Sequence, residues 1–278
     1  LERFFEEDLV GRFGFRVAGR EGNDYRLELD DGSRLDLVRH AVEVFGAERF
    51  VFAREFGYNN GNLEPLDLSE FEIALEFLGG SEEDLFMAVA ERPELVRRAV
   101  DLYSQVHMAM TEALAAAGVD GIVSSGDFAS EQGLMISPEA IRGIFLPAMK
   151  REVARVHERG MKAITHNCGN NWRLLEVLVE AGYDCWQSIQ RSAGMDLAEL
   201  KKRYGGRLAL WGGIEISSLH ADGPGQAEAD VLYALKHAAP GGGLILGACS
   251  TVAYGCSCAN YEAALKTAKD AGRYPIGV

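Results

Sequence analysis

Residues 161–172 read Met-Lys-Ala-Ile-Thr-His-Asn-Cys-Gly-Asn-Asn-Trp: a short apolar run ending on His166, with Cys168 two positions on. In extended backbone, residues i and i+2 point to the same face. An imidazole and a thiol can therefore reach one point at the end of a strand, and that pair binds zinc. A second apolar run, Gly243-Leu-Ile-Leu-Gly-Ala, ends in Cys249. His166, Cys168 and Cys249 together give three ligands and an open fourth position, the pattern of a catalytic zinc. Glu215 follows Trp211-Gly-Gly-Ile at another strand end. It is the candidate for that fourth position, or for a partner behind the ligands.

Further candidates surround this set. Asp127 and Glu131, in Ser124-Ser-Gly-Asp-Phe-Ala-Ser-Glu131, follow a strand. They are read either as proton-transfer or substrate groups or as helix-capping and surface charges. Gln187 and Gln190 flank a strand end and are expected to line a substrate pocket, with Trp211 as pocket wall or core. Arg54 ends the first clear strand and can meet a carboxylate or phosphate, or sit in an ion pair. Cys256 and Cys258 read as free thiols, with a larger metal site as the alternative. Cys185 reads as core.

The elements that must carry these residues alternate. Residues 1–11 read as a helix, and 25–38 as a β-hairpin turning at Asp30-Asp31-Gly32-Ser33. Helices are expected at 69–78, 81–90 and 93–117, the last opened by Pro93. Ser137-Pro138-Glu139 caps a helix running to Arg159, with Ile141, Ile144, Phe145, Ala148, Met149 and Val156 as its apolar stripe. Helices are also expected at 171–181, 196–204, 226–238 and 259–271. Six strands are expected, at 49–55, 119–124, 161–166, 183–189, 207–211 and 243–248. Strand–helix alternation with short connections implies an α/β fold with a parallel sheet covered by helices. A TIM-type (β/α)8 barrel would need two more strands than these six, which makes the N-terminal part atypical or shortened. Residues 1–45 are accordingly set apart as an N-terminal extension, and 46–278 as the barrel domain.

Composition bounds the function. The chain has 278 residues, 25% charged and 47% apolar, which suits a globular protein. Its net charge of −14 disfavours nucleic acid and anionic membranes as partners. It holds no apolar run of about 18 residues, the length of a membrane span. The acidic start, Leu-Glu-Arg-Phe-Phe-Glu-Glu-Asp, is unlike a secretory signal and lacks an initiator Met, so a trimmed or partial chain in the cytoplasm is expected. Five cysteines, an odd number, favour free thiols or metal ligands over disulfides.

The order of several short blocks is similar to that of a known family. Gly133-Leu-Met-Ile-Ser-Pro138, Glu158-Arg-Gly160, His166-Asn-Cys-Gly-Asn170, Glu180-Ala-Gly-Tyr-Asp184, Gly194-Met-Asp-Leu-Ala-Glu-Leu-Lys201 and Trp211-Gly-Gly-Ile214 resemble the uroporphyrinogen decarboxylase superfamily. The likeness covers roughly residues 45–275 and is greatest to the zinc-dependent, corrinoid-linked methyltransferases. It implies a (β/α)8 barrel with His166, Cys168 and Cys249 as the zinc ligands. It also implies a methyl group moved between a corrinoid (cobalamin) protein and a small-molecule donor or thiol acceptor. A homodimer is the self-assembly to test for. The alternative within the superfamily is decarboxylation of a tetrapyrrole or another carboxylate. That reaction would need several cations around the substrate, and here only Arg54 and Arg191 come forward. A third reading is a non-catalytic barrel used for binding or assembly.

Overall fold

The computed structural model describes residues 15–21, 24–29, 33–54 and 82–277. The expected helices at 1–11 and 69–78 lie outside them. The described elements alternate as the sequence implies. The strands are β1 Phe15–Glu21, β2 Asp24–Leu29, β3 Phe52–Arg54, β4 Gly121–Ser125, β5 Ala129–Ser130, β6 Gly133–Leu134, β7 Lys162–His166, β8 Cys185–Ile189, β9 Ala209–Ile214 and β10 Leu244–Ala248. Ten helices accompany them among the described residues: α1 Ser33–Phe45, α2 Glu82–Glu91, α3 Pro93–Ala117, α4 Pro138–Ile144, α5 Leu146–Glu158, α6 Leu175–Ala181, α7 Leu197–Tyr204, α8 Ile216–Leu219, α9 Gly225–Ala238 and α10 Cys258–Ala271.

The main sheet has six strands in the order β10-β9-β8-β7-β4-β3. The pairs β3/β4, β8/β9 and β9/β10 are parallel, each strand returning through a helix. Among the described residues this is the α/β architecture of the TIM-type barrel class, with six strands in the main sheet. All six expected strands are present within one to three residues of their predicted limits.

The described residues divide into two compact units, those within 1–126, 136–164 and 180–182 forming the first and the rest the second. The first is organised on α3, whose Val96, Val100, Leu102, Val106 and Leu114 are buried at helical spacing. Gly118 ends α3 in the left-handed region at φ 87°, its N–H returning to Leu114 and Ala115 carbonyls. Glu112 on α3 takes Arg155 and Arg159 at 2.7 Å each, and Asp101 takes Arg151 at 2.5 Å. These pairs line up α5 alongside α3. The second unit packs Ile214, Leu219, Ala227, Val231, Leu235, Ala239 and Ala264 into one cluster from β9, α8, α9 and α10.

Two expectations are corrected. The hairpin is β1 paired with β2, from Phe15↔Leu29 to Glu21↔Asp24, rather than a turn at Asp30 leading into 34–38. Residues 34–38 belong to α1. Leu35 and Val38 are buried three apart while Leu37 is exposed, so the spacing that decides is helical, not alternating. The single helix expected from 138 to Arg159 is two, α4 and α5, parted at Phe145. Pro147 has no N–H to give the carbonyl of Gly143 and its ring crowds that carbonyl. The Arg97 Nε–H takes the freed oxygen at 3.3 Å.

Candidate metal centre

Strand β7 delivers its last residue, His166, with the ring half-buried, and the chain then turns through Asn167, Cys168 and Gly169. The turn is fixed by side chains as well as by backbone bonds such as that from the Asn167 N–H to the Gln187 carbonyl of β8 at 3.3 Å. The Asn171 amide nitrogen donates to the carbonyls of Asn167, Cys168 and Gly169 at 3.0, 2.8 and 3.1 Å. The Trp186 indole N–H adds a bond to the Asn167 carbonyl at 3.2 Å. Gly169 stands at φ 84°, where a Cβ would lie 2.6 Å from the carbonyl oxygens of both Ala129 and Ser130. The β5–β6 hairpin thus lies directly against the turn, and the Asn170 N–H donates to the Ser130 carbonyl at 2.9 Å.

This turn gathers three donor groups. Asp127, His166 and Cys168 each offer one atom, all within 4.8 Å of one another. Cys168 Sγ is 3.2 Å from His166 Nε2, and Nε2 is 4.0 Å from Asp127 Oδ1. Zinc bonds of about 2.0–2.3 Å at tetrahedral angles put neighbouring donors about 3.5 Å apart. The observed separations bracket that spacing, and imidazole, thiolate and carboxylate are the three side-chain donors zinc takes. The residues present therefore fit the ion. Asp127 Oδ1 also accepts the Cys168 backbone N–H at 2.6 Å, which aims the carboxylate at the turn.

The ring of His166 is oriented from behind. Gln187 Oε1 is hydrogen-bonded to its Nδ1, and Gln187 Nε2 donates to the Ala248 carbonyl at 3.4 Å. That second bond turns the amide oxygen toward the imidazole. Nδ1 then carries the proton and Nε2 keeps the lone pair that faces Cys168.

His166 and Cys168 come together as expected. Asp127, expected as a proton-transfer residue, stands with them as a third donor. Cys249 is buried at the end of β10 with its N–H on the Ile214 carbonyl at 2.8 Å, and it lies outside the three-residue cluster. Burial, then the charges of Glu215 and Cys168, push its thiol up to about 11, while the Ile216 N–H favours the thiolate. Glu215 is buried, with its carboxylate accepting the backbone N–H of Arg191 at 2.8 Å and of Ser192 at 3.4 Å. It anchors the 3-10 turn Arg191–Ala193 that follows β8.

The glutamines expected to contact substrate are both engaged inside the site. Gln187 holds His166, and Gln190 Oε1 accepts the Gly169 N–H. Trp211 is half-buried on β9, its indole nitrogen 2.8 Å from where a Cβ of Gly247 would stand. Glu131 is exposed at the tip of the β5–β6 hairpin, outside the cluster, and Arg54 is exposed at the end of β3 in the other unit. Cys185 is core, its thiol pushed up to about 12 by burial. Cys256 and Cys258 are free, with Cys256 Sγ 3.5 Å from His220 Nε2.

Sequence reasoning missed two groups, Asn171 and Ser188. The Asn170-Asn171 pair directly after Gly169 was a legible turn signal. Ser188 carried none. It is the extra residue of a bulge, where the β8 register against β9 slips between Gln187 and Ile189. Its φ of 88° is the one positive value at a non-glycine among the described residues.

Comparison with known proteins follows the same line. The model of one family, uroporphyrinogen decarboxylase (URO-D), matches residues 71–271, well over half of the chain. Among solved structures, a methyltransferase from Methanosarcina mazei is similar at a TM-score of 0.67 and 17% identity, over 85% of this chain and 63% of that one. The chain thus spans less than two thirds of that protein's length, and at this identity the likeness concerns the fold. A sugar phosphate isomerase/epimerase from Parabacteroides distasonis aligns over 88% of this chain and 89% of that one, at 12% identity and a TM-score of only 0.38. A search of curated proteins by sequence returned no match.

Proposed function

The chain belongs to the uroporphyrinogen decarboxylase family, and on that premise we propose that it is a zinc-dependent methyltransferase. It would move a methyl group between a corrinoid protein and a small-molecule donor or thiol acceptor. The observation that carries this reading is the donor set: imidazole Nε2, thiol and carboxylate within 4.8 Å, at the C-terminal ends of parallel strands, where barrel enzymes keep their chemistry. The fold shared with a methyltransferase supports the kind of reaction.

Zinc bound here would hold a substrate thiol as its thiolate near neutral pH. The chain's own residues do the rest. His166 presents Nε2 because Gln187 engages Nδ1. Cys168 supplies sulfur from a turn that Asn171 holds rigid. Asp127 supplies an oxygen and keeps the Cys168 amide in place. Cys249 would join as a ligand only by giving up the proton that burial favours. Trp211 and the loops after β8 and β9 would border the substrate. The net charge of −14 suits a protein partner with a complementary basic surface better than nucleic acid, and five free cysteines suit a reducing, cytoplasmic setting. No described helix is long and apolar enough to cross a membrane.

Decarboxylation is the weaker reading. Arg191, one of its two candidate cations, is tied to the buried Asp230 at 2.6 Å and lies over the Tyr233 ring. The test is metal analysis of protein purified without chelator, followed by incubation with methylcobalamin and a small alkylthiol. About one zinc per chain and thiol-dependent loss of the methyl group would support the assignment. Zinc-free protein with full activity on a carboxylate substrate would sink it.

A further inference from the structure

Ser188 is fully buried and sits at φ 88°, in the left-handed region that glycine occupies without strain and side chains rarely do. A bulge places it there, and bulges re-aim side chains. Its hydroxyl is aimed at the site: Ser188 Oγ is 3.2 Å from Cys168 Sγ. Glycine would suit the backbone better, and what serine adds at this position is the O–H. A strained residue that presents one polar group to a reactive centre points to function.

We propose that Ser188 is a positioning residue whose hydrogen bond to Cys168 Sγ protects that sulfur from being alkylated in place of the substrate. The proposal rests on the methyl-transfer reading given above. A cysteine that ligates a metal is a thiolate and can only accept, so the Ser188 hydroxyl is the donor. The bond draws charge from sulfur and makes it a poorer nucleophile. A methyltransferase of this kind brings an activated methyl group to a face that already carries a protein thiolate. Its own ligand then competes with the substrate sulfur. The single proton of Ser188 is committed to Cys168, so a substrate thiolate in an open position receives no such damping.

The test uses iodoacetamide on zinc-loaded wild type, Ser188→Ala and Ser188→Gly, with the zinc content of each measured alongside. In the reaction the Cys168 thiolate attacks the methylene carbon, the S–C bond forms as the C–I bond breaks, and iodide leaves with the electron pair. Peptide mass mapping separates Cys168 from the exposed Cys258. Losing a hydrogen bond to a charged group should speed Cys168 labelling about tenfold in both variants. Ser188→Gly should melt at or above the wild-type temperature, because it also relieves the backbone strain, so faster labelling there cannot be global destabilisation. Zinc bound in all three proteins with equal Cys168 rates would overturn the role of Ser188 alone. Wild type that binds no zinc would overturn the metal reading and this proposal with it.

Discussion

Gln187 links His166 Nδ1 to the carbonyl of Ala248, the last residue of β10. One side chain on β8 thereby connects the ligand-bearing end of β7 to the strand that ends beside Cys249. The amide can satisfy both neighbours only with its oxygen toward the imidazole and its nitrogen toward the carbonyl. The tautomer of His166 is therefore set by a contact outside the donor cluster.

Replacing that contact should weaken the metal without unfolding the chain. Gln187→Leu is expected to lower zinc affinity by about 10–100-fold, the usual effect of removing a partner behind a ligand. Competition with a chromophoric chelator measures it. Wild-type affinity in Gln187→Leu would mean that the ring orientation is held by something else.

Asp127 can be a ligand, an anchor for the Cys168 amide, or both, and Asp127→Asn separates the cases. Asparagine still accepts the Cys168 N–H that now reaches Oδ1 at 2.6 Å but is a far poorer zinc donor. If Asp127 ligates, Asp127→Asn should keep the wild-type melting temperature measured in chelator and lose most of its zinc, and Cys168→Ala should lose the metal likewise. Zinc content equal to wild type in Asp127→Asn would leave Asp127 as an anchor only and move the search to Cys249→Ala.

Gly169→Ala tests the turn itself. A methyl group there meets two carbonyl oxygens at 2.6 Å and a φ of 84°, so the hairpin or the turn must shift. The cost is expected to be roughly 1–3 kcal/mol of stability, with loss of metal, read by urea denaturation and zinc analysis. Unchanged values in both would show that the close approach of β5–β6 is not needed.

The metal-free chain should weaken in alkali. The thiols of Cys249 and Cys185 are held up at about 11 and about 12, burial being the larger cause in each. The folded state keeps these protons where the unfolded chain, near 9, has lost them. Their contribution is complete below pH 9 and is lost as pH rises through 11 to 12, at up to about 1.4 kcal/mol per pH unit for each group. Urea midpoints from pH 8 to 11 in chelator should fall, and fall less steeply in Cys249→Ala. A flat profile in the wild type would refute the shifts.

How far the sequence anticipated this site depends on distance along the chain. His166 and Cys168 could be paired because period-two geometry acts over three residues. Helix α3 was legible because Pro93 starts it and Gly118 stops it, both local signals. Helix α1 was misread because Leu35-Asp-Leu-Val fits both periods until burial distinguishes Val38 from Leu37. The break at Phe145 has its local signal in Pro147, which the apolar stripe running through 141–156 masks. Asp127 could be placed at a strand end, but not within 4.0 Å of an imidazole 39 positions on. Cys249 was correctly put at the end of a strand, yet how deep that end lies depends on packing that no spacing rule encodes. Ser188 was illegible because a bulge arises from the register between two strands rather than from either one.

The Asn171 amide nitrogen has two protons and three carbonyl acceptors within 3.1 Å, so the turn carrying Cys168 hangs on a donor that is already oversubscribed. An aspartate in its place would change neither the volume nor the shape of the side chain. It would nevertheless set negative oxygen against carbonyl lone pairs where N–H had been, and the turn would be pushed open instead of held. The three donors could all stay in the chain while one charge behind them moved Cys168 out of place.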